Sequence, residues 1–189
     1  MPSFTQLTGL AVVVLSLGYF ANALPMTGFL GSAPLSCNGS DAYSLAISKI
    51  LIDFEACIRA IIACGTLVDL KAQVALLINI LTGCSDDLLK IGAGVVVAAE
   101  AKAQIVACIA GLITLIVRAC LAVSLKFGLN VCIEIFAGVD VVIKTLLVNL
   151  DICIAGIVGL IAKSILSVTV GLLAQVQLKL CLGVLGLGL

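Results

Sequence analysis

The chain has 189 residues, of which 63% are hydrophobic and 11% charged, with a mean hydropathy of +1.37, well beyond the apolar share of an ordinary soluble domain. Ten Lys or Arg balance ten Asp or Glu with both signs interspersed, which argues against a basic surface for nucleic acid or anionic lipid. Too few polar residues remain to cover the surface that a chain of this size leaves in water, so the apolar excess is expected to face another copy of the chain, lipid, or an air, wax or cell-wall boundary, and near-zero net charge leaves self-association unopposed.

The first element is an apolar run from Leu10 to Phe20 followed by Ala21-Asn22-Ala23. A short apolar core before a small-x-small site predicts a secretory signal peptide over residues 1–23, although no Lys or Arg precedes the run. Residues 24–40 follow as a lead-in segment with Pro25, Pro34, Gly28, Gly31, Ser32, Ser36, Gly39 and Ser40 and no charge, a composition that favours extended, flexible chain. Asn38-Gly39-Ser40 is a sequon, which makes Asn38 the glycosylation candidate.

Residues 41–189 contain no proline and are predicted to fold as one all-α domain, a bundle of about five long, very apolar helices. Three acid-to-base pairs four residues apart, Glu55 with Arg59, Asp86 with Lys90 and Asp140 with Lys144, fit helix surfaces in the favourable orientation. Strand-like alternation is missing despite the Val and Ile content. Breaks are expected at Gly65-Thr66, at Gly83-Cys84-Ser85 with Ser85, Asp86 and Asp87 as an N-terminal signal, at Phe127-Gly128, and between Leu160 and Ser167. The resulting helices lie near 41–64, 66–82, 86–127, 130–160 and 165–184, the third with a kink at Gly92-Ala93-Gly94 or Gly111. Its polar positions, among them Glu100, Gln104, Thr114 and Arg118, form one narrow stripe. That pattern suits either a central helix sheathed by neighbours or one that turns an apolar flank outward.

Two regions, 103–125 and 152–178, are long enough to span a bilayer, but Arg118 and Lys163 interrupt them and leave charge-free stretches of fifteen residues. Aromatic belts are absent as well, since the chain has no Trp and a single Tyr, Tyr43, beyond the signal segment. A polytopic membrane protein is therefore the lesser alternative.

All nine cysteines, Cys37, Cys57, Cys64, Cys84, Cys108, Cys120, Cys132, Cys153 and Cys181, follow the signal segment. In an oxidising compartment they are disulfide candidates, with one left unpaired by the odd count. A hairpin folded near 60–66 would nest Cys57–Cys64 inside Cys37–Cys84, whereas an unbroken helix would hold Cys57 and Cys64 about 10 Å apart.

Histidine is absent altogether, which removes Ser-His-Asp and Cys-His catalysis and His-containing zinc sites. No C-x-x-C and no Gly-Lys-Ser/Thr phosphate loop occurs. No catalytic, cofactor-binding or metal residue is assigned, no cofactor is expected, and the chain is not read as an enzyme.

The signal segment ending in Ala-Leu-Pro, the Pro/Gly/Ser lead-in, the lack of His and Trp, and the Val/Ile/Leu/Ala-rich body with scattered single cysteines resemble small secreted cell-surface proteins of mushroom-forming fungi, of the kind that coats hyphae and supports attachment and aerial growth. The pattern departs from hydrophobins, which carry Cys-Cys doublets, and does not map onto the six-cysteine saposin-like lipid binders. The resemblance and the composition together imply a secreted, extracellular or cell-wall protein that self-associates and coats or adheres at hydrophobic–hydrophilic interfaces. A helical binder of lipid or another apolar ligand is the alternative.

Overall fold

The computed structural model describes residues 35, 37, 39–93, 95–165 and 167–187, all within a compact unit that runs Leu35–Leu189. The signal segment, most of the lead-in segment and Asn38 lie outside the described residues.

Every regular element among the described residues is helical: α1 Ala42–Ala63, α2 Leu67–Ile91, α3 Ala99–Phe127, α4 Leu129–Cys153, α5 Ile157–Ser164, α6 Ser167–Gln175 and α7 Lys179–Val184. The all-α expectation holds, with four long helices and three short ones in place of about five. Asp41 caps α1, its carboxylate accepting from the N–H groups of Tyr43 and Ser44. Gly65-Thr66 breaks the chain where expected, and the Thr66 hydroxyl accepts from the N–H of Asp69 at the start of α2. Gly128, with φ +90°, is the single residue between α3 and α4, a conformation that glycine adopts without steric cost.

The expected break at Gly83-Cys84-Ser85 does not occur. Helix α2 runs through it to Ile91 and ends at Gly92, whose φ is +75°. Ser85 is buried in mid-helix, and its hydroxyl accepts from Asn149 Nδ2 of α4 at 2.8 Å, so it serves a neighbouring helix in place of a helix start. The predicted helix 86–127 is thereby two elements separated by residues 92–98, and the predicted 130–160 ends at Cys153, where the turn reaches Gly156 at φ +73°. Only the first of the three expected ion pairs forms, Glu55 with Arg59 at 3.8 Å. Lys90 instead meets Asp87, one turn back, at 2.8 Å, and Asp140 turns inward to α7.

The long helices form a ring in which α1 packs on α2, α2 on α4, α4 on α3 and α3 on α1. Helices α2 and α4 run in parallel: Ile78 approaches Gly138, Ser85 meets Asn149, and the Cys153 thiol donates to the Leu88 carbonyl at 3.4 Å. Gly138 makes this contact close, since a Cβ there would stand 2.8 Å from Ile78 Cδ1. Helices α2 and α3 are therefore diagonal, and the chain between them, described at residues 92–93 and 95–98, crosses one end of the bundle. Helices α5 and α6 pack on α3, and α7 covers α4.

This arrangement sheathes α3, which holds an eighteen-residue window of mean hydropathy 2.5, against 1.5 for the corresponding window of α2. Thirteen of its residues are buried, while Glu100, Gln104, Arg118 and Lys126 remain at the surface. Of the two readings of its stripe, the central helix is the one observed.

Candidate surface-active exterior

The few charges of the described bundle do an unusual share of internal work. Lys126 Nζ of α3 donates to the Ile62 carbonyl in the last turn of α1, and Lys102 Nζ donates to the Ala155 carbonyl just past α4, at 2.9 Å. Both place a cation at a helix C-terminus, where carbonyls lack intrahelical partners and the dipole is negative. Asp140, 6% exposed, does the reverse for α7: its two carboxylate oxygens accept from the N–H groups of Leu180 at 2.9 Å and Cys181 at 2.8 Å. The Tyr43 hydroxyl donates to the Gly92 carbonyl at 2.6 Å and closes α2. No buried side-chain nitrogen or oxygen among the described residues lacks a partner, so the core leaves no buried polar side chain unsatisfied there.

The cysteines are distributed otherwise than the sequence suggested. One disulfide is present, Cys37–Cys108. Cys37 does not reach Cys84, because Leu35 and Cys37 both lie on α3: the Leu35 N–H donates to Glu55 Oε1 at 3.0 Å, its side chain lies against Gly111, and Cys37 is bonded to Cys108. A side chain at position 111 would occupy the space that Leu35 fills. Cys57 and Cys64 do not join either. The helix is unbroken from Cys57 to Ala63, and the two thiols donate to separate carbonyls, Gln73 and Ala60. With Cys84, Cys120, Cys132, Cys153 and Cys181 they make seven buried free thiols, small hydrophobes in function. Burial pushes the thiol of Cys57 up to about 11, with Cys64 nearby adding to it, and those of Cys84, Cys120 and Cys181 up to about 12. Such groups are neutral and poor nucleophiles at ordinary pH.

Outside, the bundle remains greasy. Fifteen large apolar side chains among the described residues are exposed, more than the isolated cases that need no explanation. They include Leu45 and Ile52 on α1, Val68, Leu76 and Leu89 on α2, Val95 and Val96 in the crossing, Leu125 on α3, and Val141, Val148 and Ile152 on α4, with Ile52 79% and Val96 94% exposed. Composition alone pointed to an outward apolar surplus, but its location follows from the ring order, which residue spacing did not reveal.

Two features bear on the alternatives. A groove of about 360 Å3 between α2 and α4, lined by Leu67, Lys71, Val74, Ile78, Val131 and Glu134 among others, is open to solvent, and a lysine and a glutamate share its walls. Helices α2 and α3 are long and apolar enough to cross a membrane; two-thirds of the apolar window of α3 is buried against the protein itself, but only 28% of that of α2. No known protein family, no characterised protein and no solved structure matches this chain.

Proposed function

We propose that this is a secreted, non-enzymatic surface-active protein that self-associates and coats or adheres at hydrophobic–hydrophilic boundaries such as a cell wall or hyphal surface. The observation that carries the reading is the exposure, among the described residues, of fifteen large apolar side chains around a core that already satisfies its buried polar side chains. The exterior apolarity is surplus to folding, and removing it from water at about 25 cal/mol per Å2 supplies a driving force for adsorption with no catalytic group required. The charges that would oppose such a role are few, and several are turned to capping helices.

The apolar-ligand alternative calls for a closed, apolar interior site, and the open groove with Lys71 and Glu134 on its walls fits it less well. The membrane alternative is favoured by the length of α2 and α3 and opposed by the inward burial of α3, whose apolar sides already face neighbouring helices.

The test is surface-pressure adsorption of detergent-free, signal-cleaved protein at an air–water interface, with circular dichroism of the film. A rapid, large rise with helicity retained is the expected result. No rise from a well-behaved monomer would sink the reading in favour of an internal ligand, and insolubility without detergent would favour the membrane protein.

A further inference from the structure

The apolar side chains at one end of the bundle are organised by the diagonal crossing. That end is defined by three contacts: Tyr43 at the start of α1 meets Gly92, Cys153 at the end of α4 meets Leu88, and Lys102 at the start of α3 meets Ala155. The starts of α1 and α3 and the ends of α2 and α4 therefore gather there, with residues 92–93 and 95–98 at the same end. Within the crossing, Val97 packs against the core while Val95 and Val96 face solvent, Val96 more than any other large apolar side chain among the described residues. Leu45, Leu89 and Ile152 are exposed at the same end.

Connections over a protein surface are ordinarily polar, and nothing in the folding of the bundle requires valines at 95 and 96 to be in water. The run from Ile91 to Ala99 holds no charge. Around it stands a collar of both signs: Lys49 and Lys90, both on Asp87 at 3.6 and 2.8 Å, with Lys102 and the carboxylates of Asp41, Asp86, Glu100 and Asp151. The opposite end also exposes Leu67, Val68, Leu125 and Leu129, but Asp69, Lys71 and Lys126 are interleaved with them in sequence and no charge-free run projects there.

We infer that the described residues of the crossing, 92–93 and 95–98, form a lipid-contacting tip, which dips Val95 and Val96 into the acyl boundary of a zwitterionic phospholipid surface while the mixed collar lies among the headgroups. An apolar projection supplies the burial, and a collar carrying ammonium and carboxylate groups matches a headgroup layer that presents phosphate and ammonium together. An anionic surface would call for a basic excess, which the collar lacks. The inference rests on the proposed surface activity and names the element and the lipid class that it engages.

The chain has no tryptophan, so a single introduced indole reports its own surroundings. Val96→Trp and, at the opposite end, Leu125→Trp are each mixed with phosphatidylcholine vesicles, alongside surface-pressure measurement of the unsubstituted protein. The expected result is a blue-shifted, quencher-protected Trp at 96 and unchanged emission at 125, with Val96→Asp lowering vesicle partition by about tenfold or more, as loss of one buried valine side chain implies. Circular dichroism and melting of Val96→Asp that match the parent show that the loss is one of contact. If the parent raises surface pressure but leaves vesicles alone, or binds them with 125 shifted and 96 unchanged, the tip is overturned and the surface activity stands. If the parent neither adsorbs nor binds, both fall.

Discussion

The carboxylate of Asp140, in the middle of α4, accepts a hydrogen bond from the backbone N–H of Cys181 at 2.8 Å across forty-one positions of sequence. Its other oxygen takes the N–H of Leu180, so one buried side chain caps α7, a helix of six residues that has no side-chain cap of its own. Asp140→Ala leaves two amides without their acceptor and is expected to cost about 1–3 kcal/mol. Asp140→Asn, which keeps one carbonyl oxygen, should cost less. Hydrogen exchange should accelerate at Leu180 and Cys181 in the alanine variant; unchanged protection at both amides would show that α7 is held by packing alone.

Buried thiols make stability depend on alkaline pH. The folded-state values of Cys57, about 11, and of Cys84, Cys120 and Cys181, about 12, lie above the 9.0 of a free thiol. Each raised group contributes stability that is complete below pH 9 and is lost as the pH rises through the folded-state value, because the unfolded chain ionises first. Denaturant midpoints should be flat from pH 7 to 9 and fall steadily above it. At pH 8 the native protein should resist a thiol reagent that labels all seven free cysteines once it is unfolded.

The Cys37–Cys108 bond closes a loop of seventy-one positions. Chain entropy assigns such a crosslink about 4 kcal/mol, so reduction or the paired Cys37→Ser and Cys108→Ser substitution should lower the melting temperature on the order of 10 °C. Leu35 should lose its hold over Gly111 at the same time, seen as faster exchange of its amide, which now bonds Glu55.

Gly138 and Ile78 should be energetically coupled. Alanine is the better helix former by about 1 kcal/mol, but its Cβ would stand 2.8 Å from Ile78 Cδ1. Gly138→Ala should therefore be near neutral in the parent and clearly stabilising in an Ile78→Val background, where the clashing methyl is gone. Additive effects of the two substitutions in a double-mutant cycle would show that α2 and α4 yield freely at this contact.

What could be read in the sequence was local chemistry. The absence of proline after Pro34, the Thr66 cap, Gly128 and the Glu55–Arg59 pair each act within a few residues, and each sits where its type suggests. Two of the misreadings share one cause, a polar residue whose partner lies on another helix. Ser85 resembles an N-cap until Asn149 is found beside it, and Asp140 resembles half of an ion pair until α7 is in place. Cysteine pairing failed for a related reason: the placement of Leu35 and Cys37 against α3 is a tertiary fact with no local signal. The exposed valines of the crossing were visible as residues, but their position depends on α2 and α3 being diagonal in the ring.

The central place of α3 sets the order in which this chain can be completed. Only α1, among the walls around α3, is synthesised before it; α4, α5 and α6 all lie downstream of Gly128. As the chain leaves the ribosome, this apolar helix emerges with that one wall in place and stays bare until several dozen further residues have followed. A nascent chain in that state depends on a chaperone or translocation channel to keep it from aggregating, and a message truncated between Gly128 and Cys153 would yield a product with no means of covering it.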